Sequence, residues 1–191
     1  MAELKEKEQQ SGAERETRTI ALIQKVSKFN WFENVGEEKG RLEAEQALKA
    51  FITQNELGIE KIEWISRGEF VASYADAPIS KTGLYEFIGK SYQTIVNEVQ
   101  EKGHDTDVAK AVDAVTDSVF HSAFDKAFEL FSDSSEELVK YVVELTVYIA
   151  LMAYAQEAEG HSRENSFAQL AAVLEQGHLP VNIADGTIYV L

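Results

Sequence analysis

The sequence contains no cysteine in its 191 residues. Disulfides, thiolate nucleophiles, thiolate zinc sites and cysteine-ligated iron–sulfur clusters are therefore excluded. Only two prolines occur, Pro78 and Pro180, so helices can run long without interruption. Bases are scarce: 18 Lys and Arg face 33 Asp and Glu, a net charge of −15. The imbalance is uneven. Residues 1–100 hold 17 acids and 13 bases, a net of −4, whereas residues 101–191 hold 16 acids and 5 bases, a net of −11. An acidic surface repels phosphate backbones and anionic lipid, which argues against nucleic acid and membrane as partners and leaves a basic protein as the favoured one. Long apolar runs are also missing. The longest, residues 141–155, is too short for a comfortable span and carries Glu144. Residues 1–18 lack the apolar segment of a secretory signal. Together these absences predict a cytoplasmic protein.

What is present suffices for a core. Hydrophobic residues make up 45% of the chain, and a domain of this length buries roughly 70% of the surface its unfolded form exposes. Residues 1–16 mix charge and glutamine with few apolar side chains, which predicts a flexible tail or a frayed helix. Residues 17–191 then read as a single domain, with 17–78 either a smaller lobe or continuous with the helical core of 79–191.

Periodicity places the elements. Ile20, Ile23, Val26 and Phe29 share one helical face, and a turn with paired aromatics follows at residues 30–36. A second helix is expected over 37–54. Residues 59–65 alternate charge with Ile62 and Trp64, as a short half-buried strand would. Ser66 with Glu69, and Ser134 with Glu137, match the capping box that opens a helix. Long helices are predicted over 80–102, 105–131 and 134–159, and a short one over 163–176. The middle one has two apolar groups on different faces, Val108 to Val119 and then Phe120, Phe124, Phe128 and Phe131, so its two ends should meet different neighbours. The helix over 134–159 is apolar nearly all round and should be central. At the C-terminus, Asp185-Gly186 between alternating apolar residues signals a β-hairpin. The expected fold is mainly α: a six- or seven-helix, bundle-like domain with a short C-terminal hairpin and residues 59–65 as a candidate third strand.

No reaction motif occurs: no Gly-x-Ser-x-Gly elbow, no His-Glu-x-x-His and no P-loop. The most suggestive row is Asp113, Asp117, His121 and Asp125, four apart on one helix. Two carboxylates and an imidazole could furnish part of a divalent-metal site, and Glu144, alone on its apolar helix, could complete it from a facing helix. Yet the row turns about 40° per step, so at most two adjacent members converge on one ion. Glu157, Glu159 and His161, and the glycine-following His104 and His178, read as helix-end residues. Trp31, Phe32 and Trp64 lie outside the cleanest stripes and are candidates either for core plugs or for interface anchors.

Three functions remain open. The first is a non-catalytic acidic interaction domain, such as an immunity-like inhibitor or an adaptor, that binds a basic partner and needs no cofactor. The second is a metal-binding helical protein or metal-dependent enzyme using Asp117, His121 and Glu144. The third is a small-molecule-binding domain with a pocket lined by Tyr92, Phe120, Phe124 or Tyr148. Self-association stays open under all three.

Overall fold

The computed structural model describes residues 2–76, 83–101, 105–158 and 166–191. Its elements follow in the order α1 (Ala2–Val26), α2 (Arg41–Gln54), β1 (Lys61–Trp64), α3 (Arg67–Asp76), α4 (Gly83–Glu101), α5 (Asp105–Phe131), α6 (Glu136–Ala158), α7 (Phe167–Glu175), β2 (Pro180–Ala184) and β3 (Thr187–Val190). The protein is mainly helical, with one small sheet built around the C-terminal hairpin.

α6 is the centre. Leu138, Tyr141, Val142, Leu145, Ile149 and Met152 are buried along it, and it packs against α5 and α7. α1 lies against α5, α2 against α7, and β1 pairs with β3. Buried residues from Leu22 to Phe70 belong to the same hydrophobic cluster as those of the later helices and strands.

The sheet has the order β1-β3-β2. β2 and β3 form the antiparallel hairpin, turning at Asp185 and Gly186, both of positive φ. β1 joins the far edge of β3 in parallel, with Lys61 opposite Thr187 and Trp64 opposite Val190. A lone hairpin is marginal in water. This one gains a third strand, and the hydroxyl of buried Tyr141 on α6 donates to the main-chain oxygen of Val181 at 2.6 Å.

The local expectations are met in some places and changed in others. The polar segment 1–16, expected as a flexible tail or a frayed helix, is helical from Ala2. Its Ala, Glu, Lys and Gln content is poor in apolar surface but rich in good helix formers, and no proline interrupts it. The cap of α6 is Ser135, whose hydroxyl accepts from the Leu138 N–H at 3.1 Å, not Ser134. The Ser66–Glu69 box forms at α3: the Ser66 N–H donates to the Glu69 carboxylate at 2.7 Å, and the Glu69 N–H donates back to the Ser66 hydroxyl at 3.2 Å. The segment containing Pro78 lies outside the described residues.

His178 joins the sheet to the N-terminal half. It is fully buried. Its Nε2 lies 2.8 Å from the main-chain oxygen of Lys39, and its Nδ1 lies 3.2 Å from that of Leu191. Burial holds the imidazole below its ordinary value of 6.5; the two backbone contacts oppose that shift, and Arg41 adds to it. The unfolded chain therefore binds this proton more readily than the native one. The stability contribution of neutral His178 is fully present above the unfolded value and declines as pH falls below about 6.5. Urea midpoints measured between pH 7.5 and pH 5.5 should fall more steeply in the native sequence than in His178→Gln. Parallel profiles would remove the buried imidazole as the cause.

Candidate interaction surface on α5

α5 carries three parallel rows of residues, each spaced four apart. The first is Val115, Val119, Ala123, Ala127 and Phe131, buried to 3% exposure or less. One residue on, and so about 100° round the helix, stand Phe120, Phe124 and Phe128, which are 44%, 40% and 52% exposed. One further residue on comes the outward row, Asp113, Asp117, His121, Asp125 and Glu129, all exposed.

This arrangement reverses the expected one. The four phenylalanines do not continue the buried stripe together. Only Phe131 does, set edge-on against Phe70 with ring centroids 5.8 Å apart. The buried row continues instead through Ala123 and Ala127, on a helix that packs against both α6 and α1. Small side chains let two helices approach closely, so packing distance selects alanine there. The larger rings are left on the flank.

Those rings form a ladder. Phe120 and Phe124 stack with centroids 5.6 Å apart and planes 27° apart; Phe124 and Phe128 follow at 6.3 Å and 20°. His121 leans edge-on against Phe120 at 5.8 Å. Together the three rings expose on the order of 250 Å² of aromatic surface. Covering it would contribute roughly 6 kcal/mol before the costs of association.

The polar row beside the ladder keeps its charge available. Among the described residues, Asp113, Asp117 and Asp125 take part in no ion pair, while Glu129 is 3.2 Å from Lys126. Residues 113–129 contain four acids and one base, a net of −3.

The residues of the metal-site reading lie apart. His121 faces outward on α5, and its Nδ1 lies 2.7 Å from the main-chain oxygen of Asp117 in the preceding turn. Glu144 sits on α6 with its side chain 37% exposed, 3.6 Å from Lys140. Asp117, His121 and Glu144 do not converge, and among the described residues no group of three or more potential ligands does. The intervening α5–α6 seam is apolar, and Glu144 obtains its counter-charge one helical turn away on its own helix.

Around Glu144 the neighbours are tyrosines. Tyr74 and Tyr85 both stack near Tyr141, at 5.6 and 6.2 Å, and Tyr148 bridges Tyr85 to Tyr92 at 6.1 and 5.9 Å. Burial raises the Tyr74 phenol to about 12, with Glu137 and Glu144 adding to the shift. The proposed pocket residues therefore divide between two places. Tyr92 and Tyr148 belong to this tyrosine chain, whereas Phe120 and Phe124 are on the open flank of α5.

The three candidate interface aromatics are placed inward. Trp31 and Phe32 are 4% and 5% exposed and serve as core plugs. Trp31 packs 4.9 Å from Phe29, and the turn that carries both plugs is tied down by the Asn34 N–H donating to the Gly177 oxygen at 3.2 Å. Trp64 is half-buried and engaged on all sides: its indole N–H donates to Glu45 at 3.1 Å, the Arg41 guanidinium lies 4.9 Å above the ring, and His178 meets it edge-on at 4.7 Å. It braces α2 against the sheet. The groups at His104 and His161 and the carboxylate of Glu159 lie outside the described residues.

Sequence reasoning missed the ladder as a surface because it ranks Phe above Ala for burial. The signal was present in the register: Val115 and Val119 extend in steps of four to 123, 127 and 131, and not to 120, 124 and 128. Comparison with family models, curated proteins and solved structures finds no match for this chain. No helix among the described residues is long and apolar enough to cross a membrane.

Proposed function

We propose that this chain is a non-catalytic interaction domain of the cytoplasm that holds a basic partner protein on the flank of α5. The observation that carries this reading is the inverted placement on that helix. Alanines occupy the buried row while three phenylalanines stand 40–52% exposed beside a row of acids. An exposed aromatic patch rimmed by polar residues is a candidate interaction site. Charge selects the kind of partner, since the second half of the chain has a net of −11 and complementary charge steers association. An adaptor or an inhibitor of a basic protein fits this description.

The test is a titration of the isotope-labelled full chain with unstructured oligolysine at about 50 mM and about 500 mM salt. Amide shifts are expected to cluster on residues 113–129 at low salt and to vanish at high salt. Shifts spread evenly over the acids of α2, α3 and α6 would overturn the reading.

A further inference from the structure

We infer that the partner element seated on α5 is a single amphipathic helix with basic residues along one flank. This rests on the basic-partner reading and adds the secondary structure of what is bound. The rings repeat every four residues, about 6 Å along the helix axis. An i, i+4 ridge of a second helix has the same repeat, so it can lie along the groove between the row of rings and the acidic row beside it. Phe120 to Phe128 covers about 12 Å and Asp113 to Glu129 about 24 Å, which calls for a partner of roughly 16 residues.

An extended peptide fits this surface poorly. Extended partners gain affinity from main-chain hydrogen bonds to a sheet edge. α5 has its backbone groups bonded within the helix and offers no such edge. A helix arrives with its own backbone groups already satisfied.

The rows also set the polarity of the contact. Acids border the ladder on one side only, because the row on its other side is the buried row of Val119, Ala123 and Ala127. The partner helix therefore carries its lysines or arginines along one edge of its apolar stripe, facing Asp117 and Asp125. A second copy of this chain would bring −15 against −15, so charge disfavours self-pairing through this face.

The experiment uses a fluorescent lysine–leucine peptide of about 18 residues with one apolar face, and a control of equal charge whose helix is interrupted by two prolines. Both are titrated onto the full-length chain and onto Phe124→Ser, whose folding is checked by thermal melting. The helical peptide is expected to bind the native chain at least about tenfold more tightly than the proline control, and Phe124→Ser is expected to abolish that preference. Equal, salt-sensitive binding of both peptides would overturn the helix while leaving the basic-partner reading intact. Absence of binding by either peptide at low salt would overturn both. Sedimentation of the chain alone supplies the last arm: a dimer that Phe124→Ser dissolves would make the ladder a self-association seam and overturn the inference.

Discussion

Phe131→Ala is expected to destabilise the protein by about 3–5 kcal/mol, while Phe128→Ala on the same helix changes stability by no more than about 0.5 kcal/mol. The two residues have identical chemistry and lie less than one turn apart. Phe131 is fully buried, meets Phe70 edge-on, and supports the Arg67 guanidinium 5.7 Å from its ring. Arg67 in turn pairs with Asp133 and donates to the Leu130 oxygen at 2.5 Å, clamping α3 onto the end of α5. Truncating Phe131 leaves a cavity under that clamp. Phe128 is 52% exposed and loses only part of a stacking contact with Phe124. Urea denaturation of the two variants measures the contrast directly. Equal losses would mean that the ladder is part of the core.

A second large effect is expected at Gly177. Gly177→Ala should cost about 3 kcal/mol. The residue has φ +81, where a β-carbon is strained by roughly 1–2 kcal/mol. That carbon would also stand 2.9 Å from the Asn30 oxygen and 3.0 Å from the Asn34 amide nitrogen. The Asn34 side chain donates to the Gln176 oxygen at 2.6 Å, so relief of the clash must break the tie between the 30–36 turn and the end of α7. Trp31 and Phe32 ride on that turn and would loosen with it. Near-ultraviolet circular dichroism should show the tryptophan signal weakening together with the thermal midpoint. An unchanged signal at a lowered midpoint would confine the damage to Gly177 itself.

Much of the architecture was legible from local rules. The ends of α5 fall where the pattern put them, at 105 and 131, and the Ser66–Glu69 box and the Asp185-Gly186 turn formed as written. Each of these depends on residues within a few positions of one another. What escaped depends on distant partners. The parallel pairing of β1 with β3 joins residues 61–64 to 187–190, and no neighbouring residue records that register. The same holds for Ala123 and Ala127, whose burial follows from the closeness of the helices packed on α5 rather than from their own hydrophobicity. Trp31 and Phe32 were readable as plugs or anchors because the choice depends on what α7 places opposite them. The candidate metal set had local spacing in its favour, but the position of Glu144 across an apolar seam was not contained in that spacing.

The strand order has a consequence in time. β3 is the middle strand, and it follows both of its partner strands along the chain, so it emerges after them during synthesis. Until residues 187–190 appear, β1 and β2 have no strand between them, and the Leu191 oxygen that faces buried His178 is not yet available. The helices can form early, because their contacts are local and fast. Closure of the sheet must await residues 187–190, so the growing chain should become protease-resistant in a single step only once they have emerged. A nascent chain halted at residue 186 should remain open to cleavage between α2 and α3 even though its helices are already made.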